Sequence, residues 1–297
     1  MPPPLTPNAP SYLQWSGWTD RGKVRPNNED AFLGVQFNNQ EVHHLGKLGA
    51  ISIKNADCAF AVSDGMGGAN AGEYASRIAI EKITTILPRS LKPSAAGLSA
   101  GFSDILTELF DQIHRALTFV GGTYEECQGM ETTLTLCWFT PGWAYFGHIG
   151  DSRIYYLPAR SQRIQQLSED DTHVGWLQRQ GKINEREARS HPRRNVLQKA
   201  LGGANQFVEP QIGSIACEPG DIFLLCSDGL VKGLYDQHFL DVLRPNSGVA
   251  PANPARLLVE ASLENDGTDN TTALVIQTLA PAASGSAVTF FDESVSL

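Results

Sequence analysis

Apolar residues along this chain fall into two kinds of pattern. Short runs rich in β-branched and aromatic residues occupy positions 31–37, 58–62, 132–139, 143–149, 153–157, 222–226 and 271–278. Such runs, bounded by glycine and polar clusters, predict strands. The tripeptide PGW at 141–143 reads as a hairpin turn between two of them. The second pattern is helical. Ala75, Ala79, Ile83 and Ile86 share one face, with Pro88 as the expected stop. Phe102, Ile105, Leu106, Leu109, Phe110, Ile113, Leu117 and Val120 form a wider stripe, with Gly121-Gly122 as its expected end. A third helix starts at Asn253 and Pro254 in cap and first-turn positions and runs to about residue 263. Each helix has one stripe to bury and each strand a face to cover. Helices packed outside two stacked sheets satisfy both, although the pattern alone leaves other α+β layouts open.

Residues 1–11 are rich in proline, and those after about 280 are small and polar. Disorder is expected over 1–11 and a loose tail over 281–297, which leaves one domain at 12–280. With 41% hydrophobic and 19% charged residues, the composition suits a globular core. Net charge is -9 and no basic run occurs, which argues against a partner read through a nucleic-acid backbone. No apolar run could cross a bilayer, and the start lacks the basic-then-apolar order of a signal peptide. The five cysteines form no CxxC pair and lie mostly in apolar runs. They are expected to be free buried thiols in a reducing compartment, and the chain to be cytoplasmic, without a membrane partner.

The chemistry lies in short acidic motifs, most of them where an apolar run stops. They are RPNNED at 25–30, SDGMGG at 63–68, GDSR at 150–153, SDGL at 227–230 and DGTDN at 266–270. A carboxylate at a strand end projects from a rigid base, and an adjacent glycine lets the backbone approach an ion. One Asp-Gly is usually a turn. Five such motifs flanking apolar strands are better explained by carboxylates that share cations. Oxygen ligands favour Mg²⁺ or Mn²⁺ over zinc, and no His/Cys cluster has zinc spacing.

Taken together, these motifs resemble the metal-dependent protein phosphatases, the type 2C serine/threonine class or PPM family, in its bacterial form. The resemblance runs in order through GWTDRGKVRPNNEDAF, AVSDGMGG, ETTLTLCWF, YFGHIGDSRIYYL, HPRRNVLQKALGG, GDIFLLCSDGL and DGTDNTTALVI, from about Ser16 to Thr278. It implies an α+β fold, a four-layer αββα sandwich of two antiparallel β-sheets flanked by helices. It implies two divalent cations, Mn²⁺ or Mg²⁺, with Asp64 bridging them, the Gly65 carbonyl beside it, and Asp228 and Asp269 completing the shell. Asp30 would act on the cluster through water, with Glu29 a more distant carboxylate. Arg25 would grip the substrate phosphate, its planar guanidinium suiting two phosphate oxygens. The implied reaction is hydrolysis of phosphoserine or phosphothreonine by a metal-bridging water, without a phosphoenzyme. The implied partners are phosphoproteins, among them a serine/threonine kinase or its substrates, met by a monomer. The alternative is a catalytically weak relative that binds phosphoproteins as a regulatory module.

This sequence departs from the family pattern at several places. Some members have a histidine after the second motif's Asp-Gly; here it is Met66, which cannot donate a proton, so a metal-bound water is assigned that task. A third, weaker metal would use Asp151, but Lys232 stands where the family often has a further Asp for it. An ammonium there would repel a cation and could reach a phosphate or Asp151. Relatives commonly show Asp-His-Ser where this chain has Asp170-Asp171-Thr172. The segment at about 171–194 matches a flap beside the cleft, and its Arg179, Lys182, Arg186, Arg189, Arg193 and Arg194 could meet a phosphopeptide, though most are expected to solvate helix faces. The stretch 36–57, with His43-His44, is longer than a hairpin needs and receives no role.

Overall fold

The computed structural model describes residues 9–67, 71–95, 101–203, 208–246, 248 and 250–280, so the expectations for 1–8 and 281–297 lie outside the described residues. The amino-terminal part forms β1 (Tyr12–Asp20), β2 (Asp30–Phe37), β3 (Val42–His44), β4 (Leu48–Ser52) and β5 (Asp57–Met66), then the long helices α1 (Ala71–Ala95) and α2 (Phe102–Thr123). The middle holds β6 (Glu131–Thr132), β7 (Leu134–Thr140), β8 (Trp143–Ile149), β9 (Arg153–Leu157), β10 (Gln165–Gln166), α3 (His173–Arg179) and α4 (Glu185–Ser190). The remainder forms β11 (Leu201–Gly202), β12 (Gln211–Ala216), β13 (Ile222–Cys226), α5 (Asp228–Gly233), α6 (Asp236–Leu243), α7 (Pro254–Asn265) and β14 (Thr271–Leu279).

Two antiparallel sheets carry the site. One has the order β10-β9-β13-β14-β1-β4; the other runs β11-β6-β5-β7-β8-β12, with β2 and β3 attached beside β5. Three buried clusters define four layers. Phe60, Val62, Phe139, Phe223, Leu225 and Leu274 lie between the sheets. Helices α1 and α2 cover the β5 sheet through Ala75, Ile83, Leu109 and Phe110. Helices α5, α6 and α7 cover the other sheet through Leu230, Phe239 and Leu258. Alternate residues of the central strands therefore enter different cores, both apolar: in β13, Phe223 and Leu225 face the partner sheet and Ile222 and Leu224 the helices. Strands covered on both faces need no polar alternation, which is why these runs read as continuously apolar.

The outer helices depart from the expected boundaries. Helix α1 continues through Pro88 to Ala95. The proline withholds one N–H from the ladder, but Ile83 and Leu87 are fully buried, and the Ser90 hydroxyl donates to the Leu87 carbonyl beyond it. Burial of the apolar face outweighs the local break. Helix α2 likewise passes through Gly121 and Gly122 to Thr123. The expected single run at 132–139 is interrupted at Thr133 and becomes β6 and β7. Strand β1 was not legible as a strand, although Leu13 and Trp15 alternate with Gln14 and Ser16. It pairs with β14 over nine residues and with β4 on its other edge. The stretch at 36–57 thus gives β3 to one sheet and β4 to the other, and the exposed His43 lies 3.0 Å from Glu41. All five cysteines are free and buried.

Helix α2 seats on its sheet by shape. A side chain at Gly147 in β8 would lie 2.6 Å from Phe110, so this glycine provides the notch that the fully buried Phe110 ring occupies. Phe110→Ala is expected to lower stability by about 3–5 kcal/mol, read as an earlier urea midpoint with an unchanged slope.

Candidate metal centre

Register, rather than proximity in sequence, assembles the carboxylates. Asp30 opens β2 and Asp64 lies near the end of β5, and the pairing places them directly opposite one another. Asp151 occupies the turn between β8 and β9. Asp228 follows β13 and Asp269 precedes β14, neighbours in the other sheet. All five therefore collect at one end of the sandwich, at the seam of the two sheets.

Each is held by its own local arrangement. The Asp64 N–H donates to Thr133 Oγ1 at 3.0 Å, and its carbonyl accepts from Thr133 N–H and Thr132 Oγ1. This double latch is the reason the strand breaks at Thr133. Asp30 Oδ2 accepts from Ser227 Oγ and Thr272 Oγ1, both at 2.7 Å, while its buried Oδ1 has no partner. Thr272 Oγ1 also lies 2.7 Å from Thr19 Oγ1, so hydroxyls from three segments support one carboxylate. Asp151 sits on a loop fixed by Gly150, whose φ of +111° suits glycine. The Gly150 carbonyl accepts from Asp171 N–H and from His148 Nε2, and its N–H donates to Asp171 Oδ2. With Nε2 donating, His148 Nδ1 accepts from Thr135 Oγ1, a neutral tautomer that agrees with a pKa lowered by burial. Asp171, one of the unusual residues of the sequence, is thus a strut for the Asp151 loop.

The backbone around Gly65 is equally constrained. Its N–H donates to the Glu29 carbonyl, and a Cβ there would stand 1.9 Å from the Gly72 carbonyl and 2.9 Å from that of Glu29. Only glycine fits. Glu29 contributes mainly through its main chain: its N–H donates to Asn270 Oδ1, and its carboxylate lies toward Gly72 at the start of α1 rather than among the five aspartates. Asn270 Nδ2 donates in turn to the carbonyls of Arg21 and Asn27. That amide clamps the loop carrying Arg25 to the start of β14. Asn270, Ser227, Thr272, Thr133 and Asp171 were not singled out as supports in the sequence. Only the adjacency of Asn270 to Asp269 and of Ser227 to Asp228 could have pointed to them.

Two internal cations meet the cluster. Arg25 Nε lies 2.7 Å from Asp269 Oδ1. Lys232 Nζ lies 2.6 Å from both Asp228 Oδ2 and Asp269 Oδ2, and it reaches these two rather than Asp151. The titration behaviour follows. Burial would raise Asp269, but Lys232 and then Arg25 hold its pKa below the usual value. Burial, then Asp30 and Asp228, push Asp64 well above the carboxylate range. Burial and Asp228 do the same to Asp151. Burial raises Asp30 to about 7 despite its two hydroxyl donors, with Asp228 and Asp269 adding to the rise. Among the described residues no three His, Cys, Asp or Glu side chains converge as a ready-made metal cluster, since Asp228 and Asp269 close on the lysine and arginine instead.

The residues nonetheless fit divalent cations. The donors are all oxygens, Asp30 Oδ1 is buried without a partner, and Asp64 is crowded by carboxylates that only positive charge or protons can relieve. Asp64, Asp228, Asp269 and the Gly65 carbonyl would hold the cations. Asp228 and Asp269 line a cleft of about 970 Å³ together with Arg25, Asp151, Lys232 and Arg194. Of the flap cations, Arg179 bonds Glu169 and the Asp170 carbonyl, Lys182 lies over Trp176, and Arg189 is fixed by Glu185 and two carbonyls. Arg194 lines the cleft.

Comparison with known proteins bears on the family and the fold. The family model for protein phosphatase 2C matches residues 39–263. The serine/threonine protein phosphatase PstP of Mycobacterium tuberculosis is 33% identical over 267 residues, 89% of this chain; the chain spans 44% of that relative's length. The serine/threonine phosphatase stp of Listeria welshimeri is 29% identical over 260 residues, 87% of this chain and 93% of the relative. The crystal structure of the Mycobacterium tuberculosis PstP/Ppp phosphatase superposes with a TM-score of 0.72 at 30% identity, covering 90% of this chain and 99% of that one. The PstP catalytic domain in complex with two manganese ions gives 0.70 at 29% identity, with the same coverage.

The raised carboxylates set a pH dependence. A carboxyl whose folded pKa exceeds its unfolded value contributes stability that is complete below about 4 and lost as pH rises through the folded value, about 7 for Asp30. In metal-free protein, Asp30→Asn should therefore gain on wild type between pH 5 and 8, by on the order of 2 kcal/mol. Thermal unfolding across that range in chelator checks it; a constant difference would contradict the assignment.

Proposed function

The chain belongs to the protein phosphatase 2C family, and from that premise we propose that it is a metal-dependent phosphoserine/phosphothreonine protein phosphatase. The observation that carries this reading is the gathering of Asp30, Asp64, Asp151, Asp228 and Asp269 at one end of the sandwich, with Asp151, Asp228 and Asp269 lining one cleft beside Arg25. Two divalent cations, when bound, supply an acidified water and neutralise phosphate charge.

The chain's own groups do the rest. Arg25 is 46% exposed on its side chain, and the Asn270 clamp fixes its loop from behind. It is free to turn from Asp269 to a phosphate and to offer two parallel N–H groups to its oxygens. Those contacts hold the phosphorus in line and stabilise the charge that spreads over the equatorial oxygens. Asp30, on its scaffold of hydroxyls, is placed to accept a proton from water within the cluster. No histidine lines the cleft among the described residues, and Met66 carries no transferable proton. The departing seryl or threonyl oxygen is accordingly protonated from water. All five cysteines are buried, so none is offered as a nucleophile.

The substrates we propose are phosphoproteins, including a serine/threonine kinase or its targets, met by a monomeric enzyme. Among the described residues no helix is long and apolar enough to cross a membrane. A regulatory module without turnover would keep the fold but would not need the full set of Arg25, Asp30, Asp64, Asp228 and Asp269. Phosphate release from a phosphothreonine peptide tests the reading. Turnover is expected with Mn²⁺ or Mg²⁺, none with chelator, and a loss of at least about a hundredfold in Asp64→Asn. Arg25→Ala should lower kcat/KM about tenfold or more. Folded wild type that releases no phosphate with either metal would refute the enzyme.

A further inference from the structure

Lys232 is a charged side chain of the centre that has no part in the reaction derived above. Its Nζ stands 2.6 Å from Asp228 Oδ2 and 2.6 Å from Asp269 Oδ2, and the side chain is only 20% exposed. The arrangement is built into the fold. Asp228 opens α5 and Lys232 follows one helical turn later, so the first contact is an i,i+4 pair. Gly229 packs against the Asn270 carbonyl, where a Cβ would lie 2.0 Å away, and this draws α5 onto the segment that carries Asp269. The Ser262 hydroxyl donates to the carbonyls of Gly229 and Leu230 and ties α5 to α7. The ammonium is thus delivered to the pair of oxygens by packing from both sides.

Those oxygens belong to two of the carboxylates that would hold a divalent cation. A cation such as Mg²⁺ sits about 2.0–2.1 Å from its oxygen ligands. An ammonium hydrogen-bonded to the same atoms overlaps that space, and its charge repels the metal strongly in so buried a setting. One of the two must leave. The cleft gives the ammonium somewhere to go, because Lys232 lines it.

We propose that Lys232 is a resident placeholder cation: it holds Asp228 and Asp269 together in the metal-free protein, competes with the divalent cation for their oxygens, and so raises the metal concentration at which this half of the centre fills. The inference rests on the metal-dependent reading above. It adds that the chain carries its own competitor for its cofactor, and that the site is shaped before any metal arrives.

The test is calorimetric titration of Mn²⁺ into the full chain, together with thermal unfolding in chelator and in Mn²⁺, for wild type, Lys232→Met and Lys232→Arg. Removal of the charge should tighten Mn²⁺ binding about tenfold. It should also lower the unfolding temperature in chelator, because two buried carboxylates lose their counter-ion, and the deficit should vanish in Mn²⁺. The arginine variant, which keeps the charge, should bind as weakly as wild type. Unchanged or weaker Mn²⁺ binding in Lys232→Met, an undiminished unfolding temperature in chelator, or tight binding by Lys232→Arg would each overturn the proposal. Lys232→Gln gives the same comparison if the methionine variant does not fold. Uptake of Mn²⁺ by the neutral variants but not by wild type would uphold the competition while removing the metal-dependent reading of the native chain. Absence of uptake by all of them would remove both.

Discussion

Mutual repulsion among buried carboxylates is the constraint on which the rest of this structure depends. Asp64, Asp151, Asp228 and Asp30 all have pKa values raised by burial and by neighbouring carboxylates, while Asp269 is held low by two internal cations. Such a cluster is not a by-product of folding, since it opposes folding at neutral pH. It persists because the apolar layers on either side supply the stability it removes. The same opposition explains the density of hydrogen bonds beneath it. Ser227, Thr272 and Thr19 support Asp30, Thr133 latches Asp64, and Asp171 braces the Asp151 loop.

The position of the cluster at the seam of two sheets sets its dimensions. Asp30 and Asp64 belong to one sheet, Asp228 and Asp269 flank strands of the other, and Asp151 lies where the chain crosses between them. The distance between the two groups is therefore fixed by the side chains that fill the sandwich, among them Phe60, Phe139 and Phe223, whose rings meet edge to face. Interiors packed at this density resist compression. Core packing thus bears on the spacing of these carboxylates at the rim, where Asp30 and Asp64 lie in strands, Asp228 opens a helix, and Asp151 and Asp269 lie between elements.

Much of this was legible in the sequence because it depends on local pattern. The apolar runs marked the central strands, the stripes at 75–86 and 102–120 marked the two long helices, and the acidic motifs at strand ends marked the site. The failures have physical causes. Pro88 and Gly121-Gly122 are breakers by propensity, but tertiary burial carried both helices past them. Strand β1 alternates around a glycine and two tryptophans and did not stand out beside fully apolar runs. Glu29 was read as a more distant carboxylate, and the main-chain bonds by which it meets Asn270 and Gly65 gave no signal in the sequence. Lys232 could be noticed as unusual, but its placement between Asp228 and Asp269 requires α5 and β14 to be neighbours, which spacing along the chain does not reveal.

The Asn270 clamp has a consequence for how the molecule is made. It joins the loop at Arg21 and Asn27 to the first residues of β14, and β14 lies between β1 and β13 in its sheet. Contacts separated by some 240–250 residues close last, since the loop entropy must be overcome before they form. During synthesis the chain emerges amino end first, so Asp30, Asp64, Asp151 and Asp228 leave the ribosome before β14, the strand that joins β1 to β13. Without β14, β1 and β13 each lack one of their two neighbours, and nothing holds Asp269 beside Asp228. The centre therefore requires both ends of the described chain to be in place, because Asp30 and Asp269 come from segments some 240 residues apart that meet only through β14.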